Sequence, residues 1–426
     1  MKATLKRIIA DFHEGTLPEF RRRALEVPLD LGKIISIVGP RRAGKTYYLY
    51  QLMDDLQRLG VARQQILYLN FEDERLALEG DNDLIFNAYR ELYPNQNLTT
   101  VYIFFDEIQE LSGWEKFVRR INDSISKNIF LTGSNARLLS REISTSLRGR
   151  SLTFEILPLS FAEYLIFKDI PANAPISSRN SALVANAFEQ YCRWGGFPEL
   201  VTIDERFKAQ VLQEYFNVML YRDLVERYEI RDISILKYLL KRLIASFTKE
   251  FSVNKLYNEL KSKGFTIGKD SIYRMMDSIF TIYMLASIER YDPAVIRREM
   301  TNKKVFLYDN GFAAAMQYSF AEDRGKLLEN IVFRHLREQT EAIFFARNGW
   351  ECDFAVFESG RPATLVQVTQ HLNRNNLGRE LKGLIAGKQF IGNADALLLV
   401  ETVDRNLDIP NWIHLQTVQQ WLLEAP

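Results

Sequence analysis

The sequence predicts an α/β protein of several units: a parallel sheet with helices on both faces, then a helical segment, a helix-turn-helix and a second α/β unit. Three observations carry this. Short apolar runs alternate with helix-spaced stretches between residues 33 and 156, the pattern of parallel strands joined by crossover helices. That β signal fades after residue 159 and returns only near residue 342. A chain of 426 residues also exceeds the roughly 100–200 residues of an ordinary domain. With 47% apolar and 26% charged residues, 28 Phe and 19 Tyr, the chain can build sizeable cores, and disordered, collagen-like and coiled-coil classes are excluded.

Five runs read as strands: Ile34 to Val38, Ile66 to Asn70, Val101 to Phe105, Ile129 to Thr132 and Leu152 to Ile156. Their near-continuous apolarity suits strands covered on both faces. Between them, Thr46 to Leu59, Asp83 to Leu92 and Trp114 to Ile125 carry apolar residues at three- and four-residue spacing, which predicts helices. From Leu159 to Glu229 the pattern is helical, interrupted at Pro171 to Pro175 and at Trp194-Gly-Gly-Phe-Pro198, both rich in breakers. Ile233 to Phe247, Ser252 to Lys263 and Lys269 to Ile282, parted by turns at Gly264 and Gly268, resemble a helix-turn-helix of the winged type. The last stretch predicts a helix over Lys326 to Thr340 and strands over Ala342 to Ala346, Asp353 to Phe357, Thr364 to Thr369 and Ala396 to Val400. The expected organisation is a sheet domain over 1–160, a helical lid over 161–229, a winged helix over 230–300 and an α/β domain over 301–426.

Lys plus Arg number 55 against 54 Asp plus Glu, a formal charge of +1, so no global field draws the chain to nucleic acid or membrane and any such contact is local. No apolar run approaches the roughly 18 residues of a spanning helix. The opening MKATLKRIIADFHEG is interrupted before a signal-peptide apolar region forms. Cys192 and Cys352 with four histidines give neither zinc spacing nor a disulfide framework. A cytoplasmic protein with no membrane partner is expected.

Gly39-Pro-Arg-Arg-Ala-Gly44-Lys45-Thr46 matches GxxxxGK[ST] in the right setting, after an apolar strand and before an amphipathic helix. This is the P-loop of a nucleotide-binding sheet. The glycines allow a turn that aims backbone N–H groups at phosphate oxygens, and the following helix offers its positive end. Gly39, Pro40, Arg41, Arg42, Ala43, Gly44, Lys45, Thr46 and Tyr47 are the expected binding stretch for ATP or ADP, with Lys45 on the β- and γ-phosphates and the Thr46 hydroxyl on Mg²⁺. The strand before Asp106-Glu107 delivers two carboxylates at the edge where ligands sit in open α/β sheets. Asp106 is expected to hold Mg²⁺, and Glu107 to polarise the attacking water. After Leu131-Thr132-Gly133, Ser134 and Asn135 are candidates to sense the γ-phosphate, a helix N-cap being the other account of them. Arg148 and Arg150 are candidate arginine fingers, acting in cis or toward a neighbour, or else residues of a solvated loop.

Residues 30 to 165, above all GPRRAGKT, YLNFEDERL, IFFDEIQ, LTGSNARLL and LRGR with LPLSFAEYL, resemble the AAA-type ATPases of bacteria and archaea that carry a C-terminal domain of unknown function. The resemblance continues through Gly195-Gly-Phe-Pro-Glu199 and Tyr221-Arg-Asp223 and reaches Asp353. It implies ATP hydrolysis driving a conformational change. In the related signal-transduction NTPases a Gly-x-Pro motif of the helical lid touches the adenine, which implicates Gly196 and Pro198; a helix-ending turn accounts for them equally.

The stretch Lys269 to Ile282 is the recognition helix if the winged reading holds, with Lys269, Ser271, Tyr273 and Arg274 near its start and Asp270 and Asp277 opposing DNA contact. Lys237, Lys241 and Arg242 read as a solvated face. DNA, through the C-terminal half, and a protein are the candidate partners besides nucleotide, with the oligomeric state left open. Gly325-Lys-Leu-Leu-Glu329-Asn, Glu351-Cys-Asp353-Phe and Leu365-Val-Gln367-Val-Thr369 resemble the PD-(D/E)XK nuclease core, whose acids hold Mg²⁺ beside a lysine. Glu329 and Asp353 match the acids, whereas Gln367 and Thr369 stand where an acid and the lysine belong, and Lys382 and Lys388 are the nearest lysines downstream. A degenerate, non-cleaving domain is expected. The alternative to a turning-over ATPase is a slowly hydrolysing ATP switch that regulates protein or DNA binding.

Overall fold

The computed structural model describes residues 1–76, 81–133, 147, 149–171, 177–299, 301–316, 324–347, 349–358 and 361–424. They form two compact units, Met1–Leu157 and Pro158–Pro426. In the first, β1 (Ile34–Val38), β2 (Ile66–Asn70), β3 (Tyr102–Asp106), β4 (Ile129–Gly133) and β5 (Ser151–Glu155) build one sheet in the order β2-β3-β4-β1-β5. All four pairings are parallel. Period-two alternation divides the side chains between the faces. Ile34, Val38, Leu67, Leu69, Ile103, Phe105, Ile129 and Leu131 join one core. Ile35, Ile37, Ile66, Phe104 and Phe130 join the other, and Phe104 stacks on Phe130 with centroids 4.6 Å apart.

Helices cover both faces because their apolar residues recur on one stripe. The helix Lys45–Arg58 buries Tyr48, Leu49, Leu52, Met53 and Leu56, and Trp114–Ser124 buries Trp114, Phe117, Val118 and Ile121. The N-terminal helix Lys2–Glu14 was not among the expected elements. It carries only Leu5 and Ile9 inward, too sparse a stripe to stand out, and they seat in the same core as Ile85 and Tyr89 of the helix Leu84–Leu92.

The second unit begins with the helices Phe161–Phe167, Ser178–Trp194 and Glu205–Val218, the last running on as a π-helical stretch over Met219–Glu226. Ile233–Ala245, Val253–Ser262 and Lys269–Phe280 follow within a residue or two of the expected ends. Then come β6 (Glu250–Phe251), β7 (Leu285–Arg290), β8 (Lys303–Leu307), β9 (Ile343–Arg347), β10 (Glu351–Val356), β11 (Ala363–Leu372), β12 (Ala394–Val403) and β13 (Ile413–Thr417). They make a single eight-stranded sheet in the order β13-β12-β11-β10-β9-β7-β8-β6. The helices Arg324–Gln339 and Arg374–Ile391 pack on it.

β7 and β8 were not expected as strands. β7 follows the helix Lys269–Phe280 after a single turn, so the helical period masks it. Their antiparallel pairing, Leu285 with Leu307 through Ile288 with Lys304, joins residues on either side of the expected division at 300/301. β7 also pairs parallel with β9 at Glu289–Phe344 and Arg290–Phe345, so hairpin and terminal α/β region share one sheet. Among the described residues no helix is long and apolar enough to cross a membrane.

Candidate nucleotide site

The order β3-β4-β1 brings the C-terminal ends of three strands to one edge of the first sheet, and with them the P-loop, Asp106 and Thr132. Gly39 takes φ 151°, and a Cβ there meets the Ile156 carbonyl oxygen at 1.9 Å, so only glycine leaves room for the loop beside the segment after β5. Arg42 at φ 65° and Gly44 at φ 95° complete the turn, and Gly44 caps the helix Lys45–Arg58. Arg23 braces the loop by donating to the carbonyl oxygens of Ala43 and Leu157, both at 2.8 Å. Arg41 pairs with Glu72 at 3.3 Å, Pro40 offers its carbonyl to Lys45, and Tyr47 stands half-exposed, edge-on to Tyr50.

Lys45 is buried. Its Nζ donates to the carbonyls of Gly39 at 3.2 Å and Pro40 at 3.1 Å and lies 3.8 Å from Glu107 Oε1. Thr46 Oγ1 donates to Asp106 Oδ2 at 2.8 Å. Tyr68 OH donates to the same oxygen at 3.1 Å, and Thr132 Oγ1 donates to Oδ1. Burial raises the pKa of Asp106, while the bonds from Thr132, Thr46 and Tyr68 pull it down against the neighbouring Glu107 charge. Glu107 takes φ 50° and its backbone N–H donates to Thr132 Oγ1 at 2.9 Å. Gln109 Nε2 donates to Glu107 Oε2 at 2.5 Å, and Gln109 Oε1 is buried without a hydrogen-bond partner among the described residues.

The structure thus brings together Gly39 to Thr46, Asp106 and Glu107. It adds Thr132, Tyr68 and Gln109, which sequence reasoning did not single out. Tyr68, Phe104, Asp106, Phe130 and Thr132 all occupy even positions on paired strands, so strict alternation carried the signal for the first two of these additions.

Ser134, Asn135 and Arg148 lie outside the described residues. Arg150 is not brought to the site. Its carbonyl accepts from Ile34 N at 2.9 Å and its guanidinium pairs with Asp123 at 2.9 Å, at the N-terminal ends of β1 and β5, the edge opposite Gly39 and Asp106. A strand's length therefore separates it from its own P-loop, which corrects the cis reading of Arg150.

Gly196 and Pro198 belong to the second unit. Pro198 opens the short turn Pro198–Val201. Gly195 takes φ 75°, and a Cβ there meets Asp309 Oδ1 at 1.7 Å. Gly196 N donates to Asp309 Oδ2 at 2.7 Å and Gly311 N to Oδ1 at 2.8 Å. The glycine pair thus accommodates a buried carboxylate, whose pKa burial pushes up to about 6.

Comparison with known proteins follows this division. An AAA-domain profile matches residues 31–165, and a profile described as a domain of unknown function matches residues 185–323. An uncharacterized protein of Methanocaldococcus jannaschii is 38% identical over 369 residues, 84% of this chain and 80% of that one. An uncharacterized protein of Haemophilus influenzae is 33% identical over 330 residues, 78% of each. Among solved structures, the Aeropyrum pernix ORC1 protein in complex with DNA aligns over 78% of this chain and 93% of that one, at 14% identity and a TM-score of 0.28.

Proposed function

Since the chain belongs to the AAA-domain proteins that carry this C-terminal domain of unknown function, we propose that it hydrolyses ATP at the P-loop and uses the cycle to change the disposition of its C-terminal half. The observation that carries this is the 2.8 Å contact between Thr46 Oγ1 and Asp106 Oδ2. Two residues 60 positions apart are joined where the fold needs a hydroxyl and a carboxylate side by side.

Both are oxygen donors, and oxygen ligands suit hard Mg²⁺. Bound there with nucleotide, Mg²⁺ supplies charge neutralisation of the phosphates. Everything else falls to the chain. Lys45 exchanges two backbone carbonyls, weak partners, for phosphate oxygens, which bind an ammonium more strongly. The P-loop N–H groups and the N-terminal end of the helix Lys45–Arg58 hold the remaining negative charge. Glu107 accepts the proton of the attacking water, with Thr132 fixing its backbone and Gln109 its carboxylate.

The tie between Gln109 and Glu107 also supports a second reading, slow turnover in which ATP acts as a switch until a partner frees the base. Duplex DNA is the partner we favour. The helix Lys269–Phe280 following a short turn, with the β7–β8 hairpin after it, has the order of a winged helix, and Tyr273 on that helix is half-exposed.

Steady-state hydrolysis with and without Mg²⁺, then with and without duplex DNA, tests both readings. Mg²⁺-dependent turnover stimulated by DNA supports the DNA-coupled ATPase, and a stoichiometric burst that then stalls supports the switch. No nucleotide binding in calorimetry removes both.

A further inference from the structure

The nuclease-like region of the second unit places Glu329 and Asp353 close together, with a third residue between them that the sequence pattern gives no reason to expect. Lys304, on β8, lies 2.5 Å from Glu329 Oε1 and 3.6 Å from Asp353 Oδ1. Its side chain is 12% exposed. The two carboxylates come from separate elements, the helix Arg324–Gln339 and β10. One ammonium therefore neutralises a largely buried acidic pair at the point where three elements meet.

The remaining positions are also spoken for. Gln367 donates to Glu380 Oε2 at 2.9 Å and accepts from Asp353 N at 3.3 Å, and Asp353 Oδ2 accepts from Val368 N at 2.9 Å. Glu380 is itself paired with Arg379 at 2.5 Å. Lys388, one of the downstream lysines, lies over the Trp412 ring at 4.5 Å, occupied elsewhere. Among the described residues no group of three or more His, Cys, Asp or Glu is arranged to hold a metal ion. The divalent metal that the nuclease resemblance implies does not fit these residues: a fixed cation already lies between its two acidic ligands, and the third is a neutral amide.

We infer that the Lys304 ammonium takes the place of the metal ion between Glu329 and Asp353, making the cleft a self-neutralised structural joint that fastens β8 to β10 and to the helix Arg324–Gln339. Burial by itself disfavours the charged lysine. The two carboxylates, at 2.5 and 3.6 Å, offset this by pairing with it directly. Divalent cations therefore have to displace a largely buried ammonium that is already paired with both carboxylates.

Lys304→Met keeps much of the stem and removes the charge, leaving two largely buried carboxylates that a metal can bridge. In the full-length protein without nucleotide, the Lys304→Met variant should bind Mn²⁺ about tenfold or more tightly than wild type, because hard cations favour charged oxygen ligands. It should melt below wild type, and Mn²⁺ should return part of the lost melting temperature while leaving that of the wild type unchanged. Adding Asp353→Asn should abolish the gain. A folded Lys304→Met protein that gains no Mn²⁺ site overturns the inference, as does wild-type Mn²⁺ binding that disappears in Asp353→Asn. Should Lys304→Met fail to fold, footprinting of the wild type with an amine-acylating reagent decides. Lys304 protected equally with and without Mn²⁺ upholds the inference, and Lys304 unmasked by Mn²⁺ refutes it.

Discussion

Replacing Thr132 by valine tests the organisation of the nucleotide edge more sharply than removing either carboxylate. The hydroxyl donates to Asp106 Oδ1 and accepts from Glu107 N. It is 1% exposed, and valine matches its shape. The substitution forfeits a hydrogen bond to a carboxylate, worth about 1.5–3 kcal/mol when charged, and orphans a buried N–H at about 1–3 kcal/mol. The lower ends of the two ranges together give about 2.5 kcal/mol. For a unit spanning Met1–Leu157 this lowers its melting temperature by about 5–10 °C. Glu107 loses its backbone anchor at the same time. Turnover should fall about ten- to hundredfold, part of the roughly 10²–10⁴ that a positioned base contributes, with ATP affinity little changed. Thr132→Ser, which keeps the hydroxyl, should recover most of both. Calorimetric melting and steady-state hydrolysis on the three proteins read this directly, and Thr132→Val that melts and turns over with wild type refutes the reasoning.

Lys45→Ala should abolish tight ATP binding in titration calorimetry, since the phosphates lose their fixed ammonium partner. Glu107→Gln should retain ATP yet suppress hydrolysis, since an amide fits but cannot take the water's proton; wild-type turnover would acquit Glu107. Asp309, pushed up from 3.8 to about 6 by burial, keeps its proton in the folded protein where the unfolded chain has lost it. Its contribution to stability is therefore full below about pH 4 and is lost as pH rises through about 6, about 3 kcal/mol over the interval. Urea midpoints of wild type and Asp309→Asn should diverge across that window, and parallel curves would count against a buried, neutral carboxyl.

Much of the first unit was legible because parallel strands covered on both faces write themselves as unbroken apolar runs. β1 and β2 coincide with the expected runs, β3 is shifted one residue on, to Tyr102–Asp106, and β4 extends one residue further, to Gly133. The P-loop and the Asp106-Glu107 pair were legible for a related reason, since local turn geometry and one strand end fix them. Thr132 and Tyr68 were not singled out, although alternation places them, because a threonine or tyrosine near a strand end looks like ordinary β composition. Arg150 was left open between cis and a neighbour, although in a parallel sheet a loop that precedes β5 lies at the edge opposite the P-loop that follows β1. Lys304 was the least legible of all. It lies 25 residues before Glu329 and 49 before Asp353 in the chain, and only the β7–β8 hairpin carries it to them.

The parallel pairing of β7 with β9 bears on how the C-terminal half can be cut or exchanged. A truncation at residue 300 would strip β8 from its neighbours and leave β7 and β6 with raw backbone donors and acceptors, the kind of open margin that recruits other chains into aggregates. Beginning a fragment at residue 301 would do the same to β9. Grafting this half onto another ATPase, or deleting it to isolate the sheet domain, therefore calls for a cut near Leu157, with everything after it transplanted as one indivisible piece.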